Sequence, residues 1–228
     1  MSTIHFVGGE KGGVGKSVLA RLLAQYFIDH EMAFVAFDSD RSHAALMRFY
    51  ADYTTKVSAD NYVSLDRIME AAAASDQMVL VDLAAQTRES LTTWMDESDL
   101  LGLATEVGVN IRYWHVMDSG KDSVDLLRNL LDRFDVRMHY VLVLNHLRGD
   151  DFSLLRDSGL LARARELGAQ AMELKRLHAS TMNKIDAKSS SFWAARQSDP
   201  EAGLGLLERQ RVKTWLQSGY HEIARVLA

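Results

Sequence analysis

The sequence predicts an α/β fold, a mostly parallel central sheet flanked by helices on both faces. Three observations carry this. Short apolar runs of strand length alternate with longer amphipathic stretches of helical period. A glycine-rich segment stands between the first apolar run and the first helical stretch. Several runs end abruptly on Asp or Asn, where strands would reach the carboxyl edge of a parallel sheet. The 228 residues, 47% hydrophobic and 25% charged, suffice to bury one core, so a single domain over 1–228 is expected.

In chain order, residues 4–7 form the first strand, and Leu19, Leu22, Leu23, Tyr26 and Phe27 mark the first helix. Residues 33–37 form the second strand, closing on Asp38-Ser39-Asp40; residues 78–81 form the third, closing on Asp82. Residues 91–107 read as one helix with Leu91, Trp94, Met95 and Leu103 on one side. A strand at 111–117, a helix at 123–134 and a strand at 137–144, ending at Asn145, follow. The last third, 149–228, is helix-rich: a helix at 152–167, an edge strand at 170–174, then three short helical patterns. Trp94, Trp114, Trp193 and Trp215 fall in apolar patterns and read as core or interface residues. The chain has one proline, Pro200, and no repeat or linker-like stretch. Right-handed crossovers bring the first loop, Asp38, Asp40, Asp82 and Asn145 to one sheet edge.

The stretch Gly8-Gly9-Glu10-Lys11-Gly12-Gly13-Val14-Gly15-Lys16-Ser17 lies between strand and helix, the context in which such a loop cradles phosphate. Glycines let backbone N–H groups from Gly12 through Ser17 point inward at phosphate oxygens. Lys16 is positioned to reach the β- and γ-phosphates, and the Ser17 hydroxyl to ligate Mg²⁺. Asp82, ending Val79-Leu80-Val81, fits the acidic strand end that holds Mg²⁺ through a coordinated water.

The string Lys11-Gly12-Gly13-Val14-Gly15-Lys16-Ser17 resembles the deviant Walker A motif of the MinD/ParA superfamily of dimeric P-loop ATPases. The resemblance extends over residues 2 to about 148 and implies ATP and Mg²⁺ as ligands. It implies that Lys11 reaches across a homodimer to the partner's nucleotide, and that Asp38 is a metal-side group. Asp40 would orient the attacking water, and Asn145 would recognise adenine. Asp150 and Asp151, a little farther on, leave a GTP-type reading open. It further implies slow hydrolysis, a protein partner that stimulates it, and a positioning or partition role for DNA or a protein complex. The chain looks most like accessory ATPases of plasmid partition or conjugative transfer. One segment departs from the pattern: where the family reads D-x-P-x-G, this chain has Asp82-Leu83-Ala84-Ala85-Gln86. Without proline and glycine the γ-phosphate-driven switch is expected to be weaker. Alternatives are a metabolic P-loop kinase or ATP-dependent ligase, and a weakly hydrolysing nucleotide-binding scaffold.

Composition narrows the remaining classes. No cysteine means no disulfide and no iron–sulfur cluster. Eight histidines form no H-x-x-x-H pair, so a zinc site is not expected. No run of 18 apolar residues exists, and the N-terminus enters the first strand directly, so a cytoplasmic protein is expected. The terminal stretch, residues 220–228, carries one arginine and reads as a docked helix, not a membrane anchor. Net charge is −5, split as −8 over residues 1–150 and +3 over 151–228. Lys175, Arg176 and His178, with Lys184 and Lys188, read as a solvated face, with DNA or partner binding the alternative.

Overall fold

The computed structural model describes residues 1–9, 12–40, 44–197 and 203–228. Among them, seven strands form one sheet: β1 (Thr3–Gly8), β2 (Phe34–Asp38), β3 (Thr54–Lys56), β4 (Met78–Asp82), β5 (Asn110–Met117), β6 (His139–Asn145) and β7 (Gln170–Leu174). Their spatial order is β3-β2-β4-β1-β5-β6-β7, and every pairing is parallel. The chain therefore grows outward from β1 to one side, returns with β4, and grows to the other side from β5. That reversal is the place where α/β sheets open a crevice at the carboxyl ends of their strands.

Both faces of the sheet are covered because the strands are apolar on both sides. On one face Ile4, Phe6, Val79, Val81, Tyr113 and Leu142 point into a core. It is closed by α3 (Tyr62–Ala74), α4 (Arg88–Glu97), α5 (Leu100–Glu106), α6 (Lys121–Phe134), α7 (Ser153–Asp157) and α8 (Leu160–Glu166). The alternate residues Val7, Leu80, Trp114 and Val143 point the other way. There they meet α1 (Lys16–Asp29), α2 (Ala45–Phe49), α9 (Ala179–Lys188), α10 (Phe192–Arg196) and α11 (Leu206–Leu227). His5 is wholly buried in β1 and accepts a hydrogen bond from Trp114 Nε1–H at 3.1 Å. Burial first, then the nearby Arg112 charge, lower its pKa to about 3, so it sits in the core as neutral imidazole.

A parallel sheet between two helical layers is the architecture expected from sequence, with β7 at one edge as expected and β3, at the other, a strand beyond the six expected. Local differences have local causes. The stretch 91–107 is two helices, broken at Asp99, whose backbone is left-handed (φ 41°). Leu103 beyond the break is 41% exposed, whereas Leu91, Trp94 and Met95 are buried. Gly159 (φ 73°) divides 152–167 in the same way. The final helical pattern is one helix of 22 residues, with Val212, Trp215, Leu216, Ile223 and Val226 docked on the sheet. Trp94, Trp114 and Trp215 are buried, whereas Trp193 is about half exposed. Pro200 lies outside the described residues.

Three elements escaped the sequence reading: α2, a helix of five residues, β3 and α3. β3 is three residues with little apolar content, and α3 contains the run Ala71-Ala72-Ala73-Ala74, which flattens its amphipathic contrast. Its start is marked by Asn61, whose side chain accepts the Ser64 N–H at 3.1 Å.

α11 packs closely on α1 at Gly219, where a Cβ would come within 2.7 Å of Leu22 Cδ2. Gly219→Val introduces a stiff branched side chain at that contact. It is expected to lower the unfolding free energy by about 1–2 kcal/mol, read from urea denaturation, the overpacking exceeding the small gain in helix propensity.

Candidate functional site

Four strand ends meet at one edge. Asp38 and Asp82, the last residues of β2 and β4, are register partners on adjacent strands, and Val7 of β1 pairs with Asp82 on its other side. The glycine-rich loop leaves β1 and re-enters regular structure at Lys16 with Gly15 as N-cap, in a left-handed conformation (φ 97°). A Cβ at position 15 would overlap the Asn145 amide, so this position is closed to other residues by both space and backbone angle. No side chain caps α1 and no acidic residue occupies its first turn, so its first N–H groups face the loop. Lys16 is buried there. A cavity of about 360 Å³ lies over this loop, lined by Gly12, Gly13, Lys16 and Ser17 on one side and Asp40 and Ala84 on the other. Lys11 lies outside the described residues.

Asp82 is buried at the foot of this site, and neither of its oxygens has a hydrogen-bond partner. The Ser17 hydroxyl is near enough to favour its charged form without making a bond of ordinary geometry. Burial first, then the neighbouring Asp38 charge, push the Asp82 carboxyl up to about 7, opposed by Ser17 and by the Lys16 charge. Asp38 is different. Its Oδ1 accepts the Asp40 N–H at 2.9 Å and its Oδ2 the Met47 N–H at 3.0 Å. Burial raises its pKa, and these backbone donors hold it down. Asp38 therefore also organises the turn into α2, a structural task alongside the metal-side role the resemblance implies. Asp40, half-buried, lines the cavity directly.

Ser39, between the two acids, was not singled out from sequence. Its N–H and its hydroxyl both donate to the Asp82 carbonyl, at 3.0 and 3.2 Å. Its Oγ in turn accepts the Ala84 N–H at 2.8 Å. A proline at 84 would have no N–H to give, so the departure from D-x-P-x-G supplies a bond that the family pattern lacks. Gln86 stands where the pattern has glycine and keeps a glycine-like backbone (φ 66°). Its left-handed conformation is strained for a residue with a Cβ.

Asn145 ends β6 beneath the loop. Its Nδ2 donates to the Val14 carbonyl at 2.6 Å and its Oδ1 accepts the Leu147 N–H at 3.1 Å. It braces the glycine-rich loop, leaving one amide hydrogen and one carbonyl lone pair unused by these two bonds. Asp150 meets His146 Nδ1 at 2.7 Å, and Asp151 accepts the Ser153 N–H at 2.9 Å, so both are engaged locally. Arg148, also unremarked in sequence, lies over Gly13, and its Nη1 is 4.0 Å from the buried Asp118. Leu147 joins the loop cavity to a second one of about 630 Å³, lined by Arg148, Glu173, Lys175 and Arg176 among others. Of the basic stretch, Lys184 is paired with Glu208 at 2.9 Å, while Lys175, Arg176 and His178 line a groove against Arg211 of α11.

Among the described residues, no cluster of three His, Cys, Asp or Glu side chains could hold a metal alone. The fit to a divalent cation rests on Asp82: an orphaned, buried carboxylate beside a serine hydroxyl is stabilised by a cation completed with phosphate and water oxygens. Among the described residues no helix is long and apolar enough to cross a membrane.

The sheet order, loop and strand-end acids define a fold of the P-loop NTPase type, and the chain resembles the MinD/ParA superfamily in fold as well as in motif. No protein-family model matches it. Protein MobD of Acidithiobacillus ferrooxidans is 24% identical over 230 residues, spanning 96% of this chain and 99% of that one. Protein TraL of Escherichia coli is 26% identical over 153 residues, 64% of each chain. Among solved structures, apo McdA from Cyanthece superposes with a TM-score of 0.54 at 13% identity over the whole of both chains. A nucleotide-binding protein of Archaeoglobus fulgidus in complex with ADP superposes with a TM-score of 0.51 at 14% identity, over 88% of this chain and 90% of its own.

Two expectations follow. Between the ordinary carboxylate pKa and about 7, folded Asp82 keeps a proton that the unfolded chain has lost, so its contribution to stability falls as pH rises through that window. In metal-free buffer, Asp82→Asn should gain stability relative to wild type from pH 4 to 7 and then level off, measured by urea unfolding. At position 86, the stability order should be Gly at least equal to Gln, with Gln86→Val lower than Gln by roughly 1–2 kcal/mol in the same assay.

Proposed function

We propose that this chain is an ATP-binding, slowly hydrolysing ATPase that dimerises around ATP and acts as a positioning or partition switch. The observation that carries the proposal is the orphaned, buried Asp82 carboxylate beside Lys16 and Ser17, next to a cavity over the uncapped helix start and glycine-rich loop whose lining includes Lys16, Ser17, Leu83 and Ala84. Backbone N–H groups from Gly12 to Ser17 and the Lys16 ammonium hold the phosphates. Ser17, with Asp82 and Asp38 on the acidic side, would hold Mg²⁺, which would supply neutralising charge for the phosphates. Asp40 faces the same cavity and orients the attacking water; Lys11 of each protomer serves the partner's nucleotide. Asn145 positions the adenine edge with its remaining amide hydrogen, and Arg148 and the adjoining larger cavity take the ribose side.

Similarity to MobD over nearly the whole of both chains, and to TraL over part, supports the conjugative-transfer version of this reading over chromosome or division machinery. A protein partner that stimulates hydrolysis belongs to the same proposal. The Ser39–Ala84 bond and the strained Gln86 favour slow turnover, because both restrain the segment that must follow the γ-phosphate.

Three variants test the assignment. Lys16→Ala should weaken binding of a fluorescent ATP analogue at least tenfold. Asp40→Ala should bind ATP normally and lose hydrolysis by about 100-fold. Lys11→Ala should bind ATP and lose ATP-dependent dimerisation by light scattering. Hydrolysis by Asp40→Ala at the wild-type rate would remove the water-orienting role.

A further inference from the structure

On the face opposite α1, an apolar groove of about 320 Å³ opens between α3 and the α4–α5 pair. Met69, Trp94 and Leu100 are buried along its floor. Leu103 and Val107 stand in its wall at 41% and 48% exposure, although the other side of α5, Leu100 and Ala104, packs into the core. The groove is preformed. Trp94 Nε1–H donates to Asp66 at 2.9 Å and Tyr62 Oη–H to Glu97 at 2.7 Å, both bonds running from α3 to α4. The left-handed break at Asp99 creates the groove by swinging α5 away from the line of α4.

The charge around it is one-sided. The groove is lined by Asp66 and Glu70 and by no cation. Helix α3 and the stretch 88–106 that carries α4 and α5 hold seven carboxylates against two arginines, a net −5, and of these Asp96 is paired with Arg133 at 2.7 Å. An exposed apolar slot inside an acidic field selects against acidic and purely polar partners and favours a basic, amphipathic one. We infer that this groove docks a basic amphipathic helix of a partner protein, its apolar side chains seated over Trp94 between Leu103 and Met69 and its lysines or arginines facing Asp66, Glu70 and Asp99. Helix-in-groove recognition has this form: spaced apolar anchors give affinity, and flanking charges give register and speed of encounter. The site lies outside the nucleotide cavity, and the inference does not depend on the ATPase reading.

The chain has no cysteine, so Ser98→Cys places one environment-sensitive dye at the groove. His221→Cys on α11 gives a reference label on the far side of the sheet. The probe is a synthetic amphipathic helix of leucine and lysine; its counterpart has glutamate in place of lysine. The expected result is a saturable blue shift at position 98 with the lysine peptide, weakened by added salt, and none at position 221 or with the glutamate peptide. In Leu103→Gln/Glu70→Lys, two exposed positions, apparent affinity should fall at least tenfold with an unchanged thermal melt. Equal responses at both labels, an affinity unmoved by the double variant, or no saturable response would overturn the inference. So would a shift that grows with protein concentration before peptide is added, since a second copy would then fill the groove.

Discussion

The register of β1, β4 and β2 is the constraint on which the rest of the site depends. Parallel pairing without offset brings Val7, Asp82 and Asp38 level at the carboxyl edge. The glycine-rich loop must then leave β1 directly beside two carboxylates that are largely removed from water. Like charges so close, in a poorly polarisable setting, are tolerable only if one is solvated by backbone donors and the other is protonated or awaits a cation. The chain divides the work in that way. Asp38 accepts two N–H groups, and Asp82 accepts none. A slip of one residue between β2 and β4 would turn one acid to the opposite face and dissolve the site.

Much of this was legible because it is local or periodic. Glycine spacing before a helical pattern marks the loop, and Asp38, Asp82 and Asn145 end apolar runs of strand length. The parallel order of the sheet follows from alternation of runs and amphipathic stretches. What was not legible depends on pairings across long separations or on weak contrast. Ser39 gains its role only from lying beside Asp82 and Ala84, more than forty residues away. Arg148 is one arginine in a loop until the fold lays it over Gly13. The four alanines of α3 and the three residues of β3 carry too little hydrophobic signal to be read. The groove needs the backbone angle of Asp99, which composition does not reveal.

The two sides of the sheet are also unequal in chemistry. One carries the acidic helices and the apolar slot; the other is sealed by α1, α10 and α11 through partly buried ion pairs and rings. Arg21, for example, is buried between the rings of Phe49 and Phe192 and bonded to Asp186 at 2.8 Å. Such a desolvated guanidinium needs all three contacts at once, which ties α2, α9 and α10 to α1.

The bonds of Ser39 carry a consequence for motion. Asp38-Ser39-Asp40 and the segment from Asp82 to Gln86 belong to different loops, yet the Ser39 hydroxyl of the first both donates to the second, at the Asp82 carbonyl, and accepts from it, at the Ala84 N–H. They form a single latch. Amide protons on the two segments should therefore exchange with solvent in one correlated opening, with a common rate, instead of fraying independently.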